Sequence, residues 1–191
     1  ATQLGDLLPQ PKRAVGNLVV KRIKKLVPAY SLPTEISFNG VLAVGRGLYP
    51  AEPDLGHEDL AFLQYTGGTT GVSKGAMLTH GNMVANLLQA SAWITPVVKP
   101  GEEILITALP LYHIFSLTAN CLTYMMLGGE NVLITNPRDS AAFVKCLKSV
   151  KFSSITGVNT LFNSLLNTPG FDQCDFGCLR VTLGGGMAVQ R

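Results

Sequence analysis

The sequence predicts an α/β fold, a mainly parallel sheet with flanking helices, and three observations predict it. From Asp59 onward, apolar runs of about five or six residues alternate with amphipathic stretches of roughly ten to sixteen. Stretches of that length suit right-handed crossovers between parallel strands. Three unusual segments also fall just after such runs: a glycine loop after Tyr65, LPLYHIF after Ala108 and GGGMA after Leu183. Parallel sheets bind ligands beyond the carboxyl ends of their strands.

Taken in order, residues 1–55 form a lead-in punctuated by proline and glycine, and residues 56–191 form the α/β domain. Within the lead-in, Val15, Leu18, Val19, Ile23, Leu26 and Val27 recur at helical spacing with lysines opposite, which predicts a basic amphipathic helix. LAFLQY reads as the first strand, and the glycine loop follows it. THGNMVANLLQASAWI then reads as a helix with Thr79 as its cap and His80 at its start. EILITAL is a strand, FSLTANCLTYMML a buried helix and NVLIT a strand. DSAAFVKCLKSV is a helix capped near Asn136 or Asp139, FSSIT a strand, NTLFNSLLN a helix and LRVTLGGG the last strand.

Composition narrows the function. Apolar residues make up 47% of the chain and charged residues 14%, yet no apolar run reaches the roughly 18 residues a membrane span needs. Neither a basic-then-apolar leader nor an initiator methionine opens the sequence, so an internal or trimmed piece of a cytoplasmic protein is expected. Residues 1–50 carry net +5, mostly in Lys12, Arg13, Lys21, Arg22, Lys24 and Lys25, while the remainder carries −2. That basic stretch lacks interleaved aromatic side chains, which argues against nucleic acid and leaves peripheral contact with the inner membrane face open. Cys121, Cys146, Cys174 and Cys178 match no C-x-x-C redox pair or zinc ribbon, and His57, His80 and His113 stand alone. Free thiols are expected, and no metal ligand is assigned.

The stretch YTGGTTGVSKG, Tyr65 to Gly75, offers glycines, hydroxyls and one lysine without an acid. Glycine lets backbone N–H groups close around an anion, and Thr66, Thr69, Thr70, Ser73 and Lys74 add donors. A phosphate site and a plain flexible loop both fit this composition. The Walker pattern fails because Lys74 lies between Ser73 and Gly75, and the dinucleotide glycine fingerprint fails because, counted from Gly184, its third glycine would have to be Val189. No G-x-S-x-G elbow is present, so a hydrolase lacks an evident nucleophile.

YTGGTTGVSKGAMLTHGN closely resembles the phosphate loop of the adenylate-forming superfamily of acyl-CoA synthetases, adenylation domains and luciferases, with Ser73 a mild variant where proline is frequent. The resemblance continues through LPLYHIFSLTANCL, ITNPRD and ITGVNTLFNSLLN to LGGGMAVQ, and those segments look most like bacterial long-chain fatty acid–CoA ligases. It implies part of the large N-terminal domain of such an enzyme, with residues 56–191 a partial AMP-binding domain. It implies ATP, magnesium, a fatty acid and coenzyme A as ligands, with a homodimer left open.

By that resemblance, Tyr65, Thr66, Gly67, Gly68, Thr69, Thr70, Gly71, Val72, Ser73, Lys74, Gly75 and Ala76 form the nucleotide loop. Lys74 and the loop threonines would hold the β- and γ-phosphates. His113 would orient the acyl carboxylate, and Gly184, Gly185 and Gly186 would form the turn against adenine and the acyl channel. Tyr112, Phe115, Leu117, Leu122 and Val158 fit core packing as well as ligand contact. The resemblance also places magnesium- and ribose-binding acids and a C-terminal lysine after the glycine turn, so the 191-residue chain alone is expected to be inactive. Two alternatives remain at this level: activation of another carboxylic acid, or a basic membrane-surface or interaction module.

Overall fold

A computed structural model of the chain describes residues 5–6, 8–66 and 73–187. The chain divides into two compact units, residues 1–54 and 55–191.

In the first unit, α1 spans Lys12–Leu18 and continues as a π-helical turn over Val19–Ile23. Asn17 ties this helix to the preceding chain, accepting from the Gly5 N–H at 2.7 Å and donating to Asp6 at 3.1 Å. A second helix, α2 (Phe38–Gly45), is capped by Ser37, whose hydroxyl accepts from the Gly40 N–H at 3.1 Å. The helix expected to reach Val27 stops at Ile23, and Lys25 takes a positive φ of 47°. Two causes act together. Lys21, Arg22, Lys24 and Lys25 crowd like charges into little more than one turn, and Pro28 disfavours helical geometry in the residue before it. Val15, Leu18, Ile23 and Leu26 are all exposed.

The second unit opens with an antiparallel hairpin, β1 (Leu60–Thr66) and β2 (Lys74–Thr79), pairing Tyr65 with Gly75 and Thr66 with Lys74. Here the structure corrects the sequence reading. The glycine loop joins two strands of a separate hairpin and does not follow a strand of the parallel sheet. Helix α3 (His80–Ile94) begins after β2 with a capping box: Thr79 accepts from the Asn82 N–H at 3.2 Å, and Asn82 accepts from the Thr79 N–H at 3.0 Å. Such a cap stabilises a helix start by about 1 kcal/mol.

The remaining strands, β3 (Ile104–Thr107), β4 (Glu130–Leu133), β5 (Ser154–Gly157) and β6 (Val181–Gly184), form a parallel sheet in the order β4-β3-β5-β6. Between β3 and β4 the chain forms a π-helical segment, Ser116–Leu122, running directly into α4 (Thr123–Met126). Helix α5 (Ser140–Ser149), capped by Asp139, links β4 to β5, and α6 (Asn159–Leu166) follows β5.

Successive strand residues point to opposite faces, and both faces are covered. Ile106 packs with Phe143, Leu147, Phe152 and Leu165 on one side. Leu105 packs with Ile94, Tyr124 and Leu127 on the other. At the amino ends of the strands, Glu103 is 1% exposed. It pairs with Arg180 and accepts from the Ser153 hydroxyl and the Lys99 N–H, which joins the start of β3 to β5 and β6.

Candidate active site

In the order β4-β3-β5-β6, the chain leaving β3 goes to β4 on one side and the chain leaving β5 goes to β6 on the other, so the connections from these two neighbouring strands diverge. Such a reversal opens a crevice beyond the carboxyl ends of the two central strands. A cleft of about 290 Å³ lies there, lined by Ala108 and Pro110 after β3, Arg138 after β4, and Val158, Leu161 and Ser164 after β5. Of the residues considered as acyl-channel lining, Val158 borders this cleft.

Two of the three segments singled out in the sequence meet at this end of the sheet. The chain leaving β3 turns at Pro110, whose carbonyl accepts from the His113 N–H at 3.0 Å. His113 is exposed, and its Nδ1 accepts from the Phe115 N–H at 3.2 Å. In the neutral ring, that bond leaves the proton on Nε2, making Nε2–H a donor. Phe115 then reaches the glycine turn after β6. A methyl group on Gly185 would come within 2.8 Å of the Phe115 ring, so the ring lies directly against this backbone. The Gly185 N–H donates to the Gly157 carbonyl at 3.1 Å, extending the β5–β6 ladder one step. Gly186 has φ +78°, a conformation glycine adopts without strain, and a methyl added there would meet Val158 at 3.5 Å.

The glycine loop is bracketed by the hairpin. Gly67, Gly68, Thr69, Thr70, Gly71 and Val72 lie outside the described residues. Their flanks are in place. Ser73 donates to the Thr66 carbonyl at 3.2 Å, closing the base of the loop, and Lys74 opens β2 exposed to solvent. The Tyr65 ring crosses Gly75 with its Cζ 3.4 Å from where a methyl would stand, while Ala76 pairs with Gln64. Helix α3 packs against both hairpin strands and also against the π-helical segment and α4, so it is the strut between the loop and the sheet.

His80 is the first residue of α3, as read from the sequence. All four cysteines are free, Cys174 buried and Cys178 exposed. Burial pushes the Cys174 thiol up, with Asp172 adding to the effect and Lys148 opposing it. Among the described residues, no group of three or more His, Cys, Asp or Glu side chains gathers where a metal ion could be held.

Sequence reasoning missed strand β2 and a buried polar network behind His113. Asn120, fully buried, donates to Thr156 at 2.8 Å and Thr107 at 3.3 Å. The available signal was an asparagine, with Ser116, Thr118 and Thr123, in a mostly apolar helical stretch SLTANCLTYMML.

A family model described as AMP-binding enzyme matches residues 6–191. A long-chain-fatty-acid–CoA ligase of Escherichia coli O6:H1 is 58% identical over 190 residues, covering 100% of this chain and 34% of the relative. One from Haemophilus influenzae is 53% identical over 192 residues, again covering 100% and 34%. The chain therefore spans about a third of the length of these curated relatives. A feruloyl-CoA synthase from Amycolatopsis is 31% identical over 140 residues, covering 73% of this chain and 28% of that protein. Among solved structures, ATP-bound MatB from Rhodopseudomonas palustris superposes with a TM-score of 0.63 at 27% identity, over 78% of this chain and 30% of that one. A fatty acyl-adenylate ligase from L. pneumophila, in complex with acyl adenylate and pyrophosphate, shares the fold with a TM-score of 0.66 at 21% identity, over 88% and 30%.

Proposed function

The chain belongs to the AMP-binding enzyme family, and from that premise we propose that the protein carrying it activates a long-chain fatty acid with ATP and transfers the acyl group to coenzyme A. In the first step a carboxylate oxygen bonds to the α-phosphorus while the bond from that phosphorus to the bridging oxygen breaks, and pyrophosphate leaves with the electron pair. In the second, the coenzyme A thiolate attacks the acyl carbon and AMP departs.

One observation carries the reading. His113, Phe115 and the Gly184–Gly186 turn, far apart in sequence, meet at the carboxyl ends of β3 and β6, beside the crevice between β3 and β5. An adenylate needs such a place: open backbone for a flat base, and a donor for the carboxyl oxygen. The Nε2–H of His113 is that donor, and Gly185 and Gly186 put no side chain of their own between the backbone and a base, with the Phe115 ring packed against Gly185. Displacement at phosphorus depends chiefly on positioning and charge neutralisation. Those roles fall to Thr66, Gly67, Gly68, Thr69, Thr70, Gly71 and Lys74 on the loop. Tyr65, Val72, Ser73, Gly75 and Ala76 complete the nucleotide-binding stretch. Magnesium, when bound with ATP, neutralises phosphate charge, and no residue here is assigned to it. Among the relatives reported above, those named long-chain-fatty-acid–CoA ligases match the whole chain at 53–58% identity, which supports the acid chosen.

The test is pyrophosphate release by the full-length protein with palmitate, ferulate, benzoate and amino acids. Palmitate is expected to give the highest kcat/KM, and preference for an aryl or amino acid would replace the long-chain assignment. Lys74→Ala and Thr70→Val each remove a donor to a charged ligand, at about 1.5–3 kcal/mol, so falls of roughly ten- to a hundredfold are expected. Wild-type turnover in both would remove the loop from the mechanism.

Peripheral membrane contact is a further part of the proposal. It is supported by the exposed Val15, Leu18 and Ile23 lying among Lys12, Arg13, Lys21 and Arg22. No helix among the described residues is long and apolar enough to cross a membrane. Self-association as a homodimer is retained on the same footing, with the mass in solution as its check.

A further inference from the structure

The segment after His113 is wound unusually. Ser116–Leu122 is π-helical, and the Thr123 N–H reaches back five residues to the Thr118 carbonyl. The Thr123 hydroxyl donates to that same carbonyl at 2.7 Å. Single π-helical turns cluster at functional sites, because each inserts a residue into the helix and changes the direction of what precedes it.

The interior of this turn is polar. Asn120 is fully buried, and its Nδ2 donates to Thr156 on β5 and Thr107 on β3. Its backbone carbonyl accepts from Asn131 on β4 at 3.2 Å, and Thr107 in turn donates to Asn131 at 2.6 Å. One residue is therefore bonded to all three strands that border the crevice. Its Oδ1 is buried with no partner. A leucine, with the same number of side-chain heavy atoms, would carry no unsatisfied oxygen, so burial alone gives no reason for an amide here. What the amide supplies is direction: two hydroxyls on adjacent strands fix where the helix sits and which face it turns inward. Ser116, also fully buried, reinforces the entrance by donating to the Leu109 carbonyl at 3.0 Å.

We propose that Asn120 is a positioning residue for acyl-adenylate formation, holding the π-helical register that sets Phe115 against Gly185 and, through the Phe115 N–H, orients the ring of His113. This rests on the reading of His113 and Gly184–Gly186 given above. An α-helix advances about 100° per residue. Losing the inserted residue therefore rotates the preceding segment by about that angle, enough to carry the Phe115 ring off the glycine turn. Asn120 touches no reacting atom, and it acts through Phe115 and His113.

The experiment uses Asn120→Leu and Thr156→Val in the full-length protein, each taken through a crystal structure and pyrophosphate-release kinetics with palmitate. In Asn120→Leu, residues 116–122 are expected to rewind to i→i+4 bonding with Phe115 displaced from Gly185. The kcat for adenylate formation is expected to fall about a hundredfold, the scale of a 1 Å misplacement. The KM for ATP is expected to stay within about twofold, because the phosphate loop sits on the hairpin. Thr156→Val removes one of the two strand hydroxyls, so a smaller fall in kcat with the same KM pattern is expected, and it decides the matter if the leucine variant does not fold. A retained π-helical turn with Phe115 still on Gly185 overturns the proposal whatever the activity. So does a rewound helix with wild-type kcat, or a loss that appears equally in KM for ATP. If the wild-type protein releases no pyrophosphate with any acid, the functional reading falls instead, while the two structures still decide whether Asn120 sets the register.

Discussion

Replacing Gly185 with alanine puts one methyl group into the contact that joins the two halves of the proposed site. The new Cβ would lie 2.8, 3.1 and 3.2 Å from three carbons of the Phe115 ring. The first distance is too short for any carbon pair, and an aromatic ring cannot bend out of the way as a flexible chain end does. Either the ring tilts or the turn retreats from it. Overpacking of this kind costs about 1–3 kcal/mol. If that cost falls on the adenylation transition state, the rate falls by about five- to 160-fold. Gly186→Ala is the contrasting change. Its Cβ would meet Val158 at an ordinary 3.5 Å, but its φ of +78° is left-handed, so the cost is conformational, about 1–2 kcal/mol. The two mechanisms separate in a double-mutant cycle with Phe115→Leu, read by pyrophosphate release and thermal unfolding of the full-length protein. The smaller side chain should recover most of the Gly185→Ala loss and none of the Gly186→Ala loss. Additive effects in the Gly185–Phe115 pair, or a Gly185→Ala protein indistinguishable from wild type, would refute the contact as drawn.

Two further outcomes follow from the structure. Burial pushes the Glu103 carboxyl up, but the Ser153 hydroxyl, the Lys99 N–H and Arg180 outweigh it and hold it below the usual carboxylate range. A depressed folded-state pKa stabilises the fold above the ordinary carboxylate value and loses that contribution as pH falls through the folded value. Glu103→Gln should therefore lower stability near neutral pH by about 3 kcal/mol, the low end for a broken buried pair because Arg180 is partly exposed, and flatten the acid-side decline; urea midpoints measured across that pH range decide, and unchanged curves would dismiss the effect. Vesicles of anionic lipid should co-sediment the full-length protein in a salt-sensitive way, with each Lys or Arg near the surface contributing about 1 kcal/mol. Replacing Lys21, Arg22, Lys24 and Lys25 with glutamine should abolish this, and binding that ignores salt and these residues would exclude the basic helix as the contact.

The sequence by itself determined the class of fold. Alternating apolar runs and helix-length stretches are local signals, and they placed β3, β4, β5, β6 and the helices between them close to where they stand. Thr79 and Asp139 were legible as caps because a cap is a relation among residues three or four positions apart. The glycine loop stood out as bare backbone next to hydroxyls and a lysine, and the phosphate role proposed for it rests on the family resemblance. Tertiary structure decided the rest. Strand β2 is short and contains glycine, and it becomes a strand only because β1 supplies partners across the loop. The basic helix ends at Ile23 although its apolar period runs on to Val27, since charge crowding and Pro28 compete with that period. The contact of Phe115 with Gly185 and the bonding of Asn120 to Thr107 and Thr156 join residues that only the packed sheet brings together. An asparagine in an apolar run announces that something polar must meet it, but which strand hydroxyls do so depends on the order β4-β3-β5-β6, and that order is a property of the folded chain.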